Sequence, residues 1–237
     1  MSKDKYLWLE KILKEEYRFI RNIKQGRDTE INVLENKHTG DKVLVKRIKG
    51  NAEVYSKLLE IEHPNLPIIY EVADGGDFTL VLEEFIDGIT VAQVLETGLY
   101  VSSGVKCVVE QICNALLILH AEGIIHRDIK PENIIINNEG IVKLIDFDIS
   151  RIDTISKSTD TAILGTTGFA APEQYGIAKT DVRSDIYSIG ILINVMLTGE
   201  HPSKRMCSGK WQKVVNRCTH INPDERYQNI ADMIKKI

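Results

Sequence analysis

The sequence predicts an α+β chain built as two lobes, a small antiparallel β-sheet followed by a mainly helical part, and three observations carry that reading. Between residues 17 and 85, apolar residues come in short β-type runs separated by turn signals such as His38-Thr39-Gly40-Asp41 and Gly75-Gly76-Asp77. Beyond Gly88 the spacing changes to threes and fours, with Val105, Val108, Val109, Ile112, Leu116 and Leu119 along one helical face. An apolar run over residues 116–125 then leads into His126-Arg127-Asp128-Ile129-Lys130-Pro131-Glu132-Asn133, which places an acid, an amine and an amide at fixed short spacings.

Taken in order, residues 1–16 predict an amphipathic helix, with Tyr6, Leu9, Ile12 and Leu13 on one side and the pairs Glu10/Lys14 and Lys11/Glu15 on the other. This helix is expected either to strap the domain's own surface or, with Trp8 as an anchor, to serve as a docking or dimer surface. Strands are expected over 17–23, 30–35, 43–48, 68–72 and 78–85, a short helix over 52–60, and helices over 91–97 and 101–121. A hairpin over 134–136 and 141–145 turns at Asn137-Asn138-Glu139-Gly140.

Composition narrows the function classes. The chain has 237 residues, 43% hydrophobic and 27% charged, enough for one sizeable core or two small lobes. No apolar run is expected to reach the roughly 20 residues of a membrane span, and Met-Ser-Lys-Asp-Lys lacks a signal peptide's apolar segment, so a cytoplasmic location is expected. The four cysteines, Cys107, Cys113, Cys207 and Cys218, form no Cys-x-x-Cys pair and are expected to be buried thiols. A net charge of −4 with interspersed signs offers no basic stripe for a nucleic acid.

The chemistry concentrates at residues 126–133. Asp128 can accept a hydroxyl proton, Lys130 can neutralise a transferring phosphate, and Asn133 offers an oxygen to a divalent cation, a combination suited to phosphoryl transfer. A lone His-Arg-Asp reads as a polar turn, but the added Lys-Pro-Glu-Asn makes the stretch resemble the catalytic loop of the eukaryotic-type Ser/Thr protein kinase family, in a minimal, bacterial-like form.

That resemblance implies ATP and Mg²⁺ as cofactors and divides the chain into an N-lobe over 17–84, a hinge over 85–88 and a C-lobe over 89–237. Val43-Leu44-Val45-Lys46 is similar to the family's lysine strand, which makes Lys46 the expected holder of the α- and β-phosphates. Leu44 stands where the family usually has Ala beside the adenine. In the preceding glycine-rich loop only Gly26 survives, since Lys24 and Thr29 occupy the outer glycine positions; Ile31 matches the apolar lid over adenine. The lysine's helix partner is expected to be Glu53, seven positions after Lys46, an interval far shorter than the family's norm. Leu82-Glu83-Glu84-Phe85 resembles the hinge, with backbone near Glu83 and Phe85 on the adenine edge and Leu82 gating the pocket.

In the C-lobe, Asp146-Phe147-Asp148 resembles the metal-binding triplet, with Asp146 joining Asn133 as Mg²⁺ ligand and Asp148 replacing a glycine. Residues 149–164 suit an activation segment that ends at Ala171-Pro172-Glu173, where Arg127 awaits a phosphate on Thr159 or Thr161 and Thr166 faces Asp128 and Lys130. Asp185 matches the acid that ties down the catalytic loop, and Arg226 the partner of Glu173. Only residues 203–210 separate Pro202 from Trp211, so a helix the family often uses for docking is expected to be missing.

The implied function is transfer of the ATP γ-phosphate to Ser or Thr hydroxyls of a protein substrate, with trans-autophosphorylation or pairing through the N-terminal helix as further partner expectations. The alternatives are a pseudokinase serving as a nucleotide-binding or scaffolding module, favoured by the missing glycines and the short Lys46–Glu53 interval, and a small-molecule phosphotransferase. The latter relatives typically lack the equivalents of Lys130 and of the Ala-Pro-Glu segment end.

Overall fold

The computed structural model describes residues 2–153, 166–175 and 180–237. It divides into two compact units, Met1–Asp87 and Gly88–Ile237.

In the first unit, α1 (Ser2–Glu16) precedes the strands β1 (Tyr17–Gln25), β2 (Thr29–Asn36) and β3 (Lys42–Lys49). Then come α2 (Ala52–Leu58), β4 (Ile69–Asp74) and β5 (Phe78–Glu84). The five strands form one antiparallel sheet in the order β1-β2-β3-β5-β4, as the alternating runs predict. Because side chains alternate along a strand, the sheet has two distinct faces. One face is covered by α1, whose Leu9 and Leu13 are buried among Val43, Val45, Ala73 and Leu80, with Tyr6, Tyr17, Leu34 and Leu82 packed at the margin. Burying each such leucine contributes about 1.5–3 kcal/mol, so α1 is a strap of this unit, while Leu7 and Trp8 remain exposed on its outer side. Of the two charge pairs expected along α1, Lys11–Glu15 forms at 3.8 Å.

The opposite face carries the row Ile31, Lys46 and Val81 and the row Val33, Leu44 and Glu83, since residues directly opposite in the ladder share a face. Helix α2 is shorter than its sequence pattern predicts. It follows two consecutive left-handed residues, Gly50 (φ 72°) and Asn51 (φ 62°), and buries Val54, Tyr55 and Leu58.

The second unit opens with β6 (Gly88–Thr90), α3 (Val91–Thr97) and α4 (Ser102–Ala121). Gly88 is required here, because a Cβ at that position would lie 2.3 Å from the Ile136 carbonyl oxygen. Thr90 starts α3 with a capping box, its hydroxyl accepting from the Gln93 N–H while Gln93 Oε1 accepts from the Thr90 N–H. Helix α4 buries Val105, Val108, Val109, Ile112, Cys113, Ala115, Leu116 and Leu119. It corrects one expectation, because its 20 residues are long and apolar enough to cross a membrane by length and composition. Its buried face is what the core helix of a globular unit presents.

After α4 come β7 (Ile124–Ile125), β8 (Ile134–Asn137), β9 (Val142–Leu144) and β10 (Arg151–Ile152). Strands β6, β8 and β9 form a three-stranded sheet, and β7 pairs with β10 on either side of the polar stretches. The expected hairpin turn is closed by Asn137, whose Oδ1 accepts from the N–H groups of Glu139 and Ile141. The remaining helices are α5 (Val182–Thr198), α6 (Lys210–Cys218) and α7 (Ile230–Ile234). Residues 200–208 form turns and irregular chain where a docking helix was expected to be missing. The expectation for the cysteines holds for Cys113, Cys207 and Cys218 but not for Cys107, which is exposed because it lies on the outer side of α4.

Candidate active site

In the first unit the chemistry gathers around Lys46, a lysine only 2% exposed on the central strand β3. Its Nζ lies 3.0 Å from Oε2 of Glu83, and both side chains are almost wholly buried. The same ammonium donates to the Tyr55 hydroxyl at 3.3 Å and sits 5.6 Å from the centre of that ring. The expected Lys46–Glu53 pair is corrected. Glu53 is exposed, and the residue that α2 turns toward Lys46 is Tyr55. Residues two apart on a helix point about 200° apart, so Tyr55 and Glu53 cannot both face the lysine.

The hinge stretch needs one correction. Leu82 does not gate the Lys46 face; it packs on the α1 face with Val45, its ladder partner. Glu83, one residue on, takes the Lys46 face, where its side chain meets the lysine. Phe85 lies just beyond β5, partly buried, with the Lys42 ammonium 5.7 Å from its ring centre. Ile31 is buried directly opposite Lys46 in the ladder. Gly26 closes the β1–β2 turn by donating its N–H to the Thr29 carbonyl at 2.8 Å, and a Cβ there would make only ordinary contact. Its N–H is used inside the turn.

In the second unit, Asp128, Lys130, Asn133 and Thr166 form one hydrogen-bonded group. Lys130 Nζ reaches Asp128 Oδ2 at 2.8 Å and the Thr166 hydroxyl at 2.7 Å, and that hydroxyl donates to Asp128 Oδ1 at 2.7 Å. Asn133 donates from Nδ2 to both the carbonyl oxygen and Oδ2 of Asp128, each at 2.9 Å. Thr166 faces Asp128 and Lys130 as expected, and Asn133 joins the group. Pro131–Asn133 makes a single 3₁₀ turn that brings Asn133 back under Asp128.

The loop is held by side chains from far along the chain. Asp185, fully buried near the start of α5, accepts the N–H groups of His126 at 3.0 Å and Arg127 at 2.8 Å, and its Oδ2 also meets His120 Nε2 at 2.8 Å. Burial works to raise the Asp185 pKa, but the hydrogen bond and charge of His120 and the Arg127 N–H outweigh it and hold the carboxyl below its ordinary value. Gln174 donates to the Arg127 carbonyl at 2.8 Å. Between these tethers Arg127 adopts a left-handed backbone, φ 71°, which a non-glycine residue holds only when its surroundings enforce it. Arg127 itself is buried; Thr159 and Thr161, the phosphate acceptors expected to meet it, lie outside the described residues.

Asp146 also has a left-handed backbone, φ 68°, so the unusual conformation in Asp146-Phe147-Asp148 falls on the metal candidate and not on Asp148. Phe147 is fully buried edge-on to His126, ring centres 5.0 Å apart. The Ile145 N–H donates to the Asn133 carbonyl at 2.9 Å, which links the segment before Asp146 to Asn133. The donor set fits Mg²⁺. Asn133 turns its nitrogen toward Asp128, which directs its amide oxygen away from that carboxylate, and Asp146 supplies a carboxylate oriented by the Asp148 N–H at 3.3 Å. No group of three His, Cys, Asp or Glu side chains suited to a metal occurs among the described residues, and Mg²⁺ typically takes one or two carboxylates, with phosphates and water completing its shell.

Further along, Glu173 and Arg226 form the expected buried pair, with two contacts of 2.7 and 2.9 Å. Ser184 donates to Glu173 at 2.9 Å, and Arg226 also donates to the carbonyl oxygens of Arg183, His220 and Ile221. His120, Gln174 and Ser184 were not anticipated. His120 and Gln174 act on residues 65 and 47 positions away and Ser184 on one 11 positions away, and the only trace in the sequence is a polar residue within or beside an otherwise apolar stretch.

Comparison with known proteins agrees with this geometry. Residues 17–236 match the family model described as protein kinase domain. The serine/threonine-protein kinase PknL of Mycobacterium tuberculosis is 32% identical over 183 residues, covering 76% of this chain and 45% of the relative. PknB of Mycolicibacterium smegmatis is 30% identical over 249 positions, covering 92% of this chain and 39% of the relative. A probable serine/threonine-protein kinase PknB of Lactococcus lactis is 31% identical over 209 positions, covering 81% and 33%. The chain spans less than half the length of these curated relatives.

Proposed function

The chain belongs to the protein kinase domain family, and we propose that it transfers the γ-phosphate of ATP, with Mg²⁺, to Ser or Thr hydroxyls of protein substrates. The observation that carries this reading is the triangle of Asp128, Lys130 and Thr166, in which a carboxylate accepts from an aliphatic hydroxyl while an ammonium contacts both. A substrate Ser or Thr presents the same group to the same atoms.

Bound Mg-ATP supplies the electrophilic phosphorus and the leaving group. Asp128 orients the acceptor hydroxyl and takes its proton. Lys130 keeps that carboxylate in place and offsets negative charge beside the acceptor oxygen. Asn133 and Asp146 would hold the metal, and Lys46 would hold the α- and β-phosphates. Arg127 is proposed as the residue that answers a phosphate on the segment before Thr166. Self-association, through the exposed Leu7 and Trp8 of α1 or through phosphorylation in trans, belongs to the same proposal. So does a cytoplasmic location, supported by four cysteines that are all free thiols.

Incubation with labelled Mg-ATP and a general Ser/Thr acceptor protein tests the reading. Wild type should label the acceptor, and Asp128→Asn should lose about 10²–10⁴-fold in turnover while keeping nucleotide binding. Binding without turnover in the wild type would favour a nucleotide-binding module. Neither a thermal shift with Mg-ATP nor labelled product would end the enzyme reading.

A further inference from the structure

The acid that meets Lys46 comes from the sheet and not from a helix. We infer that Glu83 is the positioning residue for Lys46, so that the lysine is held ready for the nucleotide phosphates by strand register and independently of where α2 sits. The inference rests on the kinase reading and says which part of the first unit holds that reading's phosphate-binding lysine.

Register makes the pair. Lys46 stands opposite Val81 and Leu44 opposite Glu83 in the antiparallel β3–β5 ladder, so Lys46 and Glu83 are diagonal neighbours on one face. Diagonal positions lie about 7–8 Å apart at the backbone, a gap that a lysine and a glutamate bridge with their side chains. The observed 3.0 Å separation is what that reach predicts. Strand β5 is paired on both sides, to β3 and to β4, so Glu83 cannot leave without breaking the ladder.

Burial gives the pair its necessity. Glu83 is 1% exposed in a row with Val33, Leu44 and Ile69, a setting in which a lone carboxylate is strongly disfavoured and a paired one is retained. Helix α2 contributes in a different way. With Val54, Tyr55 and Leu58 inward, it offers Lys46 an aromatic hydroxyl at 3.3 Å and leaves its acid, Glu53, exposed. Seven residues of helix anchored after Gly50 and Asn51 leave little freedom to swing an acid in or out.

The test compares Glu83→Gln, Glu83→Asp, Glu53→Gln, Lys46→Met and the double variant Lys46→Met/Glu83→Gln. Glu53→Gln should change kcat/KM for Mg-ATP less than about twofold, whereas Glu83→Gln should lower it by about ten- to a hundredfold. Glu83→Asp, which keeps the charge, should recover part of that loss. The alkaline limb of the kcat/KM profile should move to lower pH in Glu83→Gln, because a buried ammonium without its carboxylate releases its proton more readily, and a purely structural role would leave that limb in place. Thermal midpoints without nucleotide supply an independent arm. The double variant should melt higher than Glu83→Gln alone, since removing the stranded ammonium relieves the defect. If Glu83→Gln does not fold, Glu83→Asp and the double variant carry the test. Equal losses in Glu53→Gln and Glu83→Gln, an unmoved alkaline limb, or additive midpoints would overturn the inference. A wild type without turnover would sink the kinase reading alone, because the midpoint cycle needs no nucleotide and still decides whether Lys46 and Glu83 are coupled.

Discussion

Lys46 and Asp128 are both buried or half-buried charged residues with a chemical task, yet the chain holds them by opposite means. Lys46 sits on a central strand, and its partner Glu83 is a diagonal neighbour in the ladder, so backbone pairing alone brings the two together. Asp128 sits on a loop with little ladder of its own. Its position depends on side chains 47 to 59 residues away that grip the backbone of His126 and Arg127, and on the Thr166 hydroxyl, 38 residues away. A strand places a residue by repetition, whereas a loop has to be pinned atom by atom. The first arrangement resists single substitutions outside the pair, and the second has several points of failure far from the reacting groups.

The largest blow to the pinned region should come from Arg226→Met. It strands the buried Glu173 carboxylate and should cost about 3–5 kcal/mol of stability, measured by denaturant unfolding. Adding Glu173→Gln should restore much of the loss; a double variant no more stable than the single would mean that packing, and not the charge, sets the cost. Asp185→Asn comes next. His126 and Arg127 donate to different oxygens, so whichever oxygen becomes the amide nitrogen faces one of the two N–H groups and leaves an unmet buried hydrogen bond worth about 1–3 kcal/mol. Turnover should fall by about a hundredfold while nucleotide binding at the Lys46 unit stays near wild type. Equal losses in binding and turnover would erase the contrast between the regions.

Acid should also find the loop first. Burial lowers the His126 pKa below 6.5 despite the opposing charges of Asp185, Asp128 and Asp146 and the hydrogen bond to the Ile145 carbonyl, so the folded protein prefers a neutral ring. A depressed value contributes stability that is present above about 6.5 and is lost as pH falls from there through the folded value. The melting temperature should therefore drop between about pH 7 and pH 5.5, and His126→Phe should flatten that slope even if its midpoint is lower. His201, lowered by burial and by Lys204, accounts for a remaining slope of the same sign. An unchanged slope in His126→Phe would rule the ring out. The smallest effect is expected in the register-held region. Tyr55→Phe removes one hydrogen bond to Lys46 but keeps the ring, which should cost about 0.5–1.5 kcal/mol, read from the thermal midpoint, and change kcat/KM less than threefold.

What could be read from the sequence followed the same division. Asp128, Lys130, Asn133 and Asp146 were legible because their chemistry is packed into short contiguous stretches. Asp185, Glu173 and Arg226 were legible through resemblance, since nothing in their local spacing says which distant atom each will meet. Thr166 was legible in the same way, and its hydroxyl meets Asp128 and Lys130. The errors fell on β5. Assigning the pocket face to Leu82 instead of Glu83 is a shift of one residue, and a period of two turns such a shift into the opposite face of the sheet. Glu53 was chosen because it is the first acid of a helix, but the inward face of α2 is set by Val54, Tyr55 and Leu58, whose burial outweighs any single charge.

The buried Glu173–Arg226 pair, 53 residues apart, also orders events in time. During synthesis the first unit, Met1–Asp87, has all its strands once residue 84 has left the ribosome, and it can fold while the rest is being made. The second unit cannot close. Glu173 has no cation of its own until Arg226 emerges, and α4 lacks one of its covering helices until Ile230 and Met233 of α7 arrive, which at about 5–20 residues per second is several seconds after α5 is complete. For that interval the apolar face of α4 and a carboxylate destined for the interior are both open to water, which makes the newborn second unit, and not the first, the part that needs protection from its neighbours.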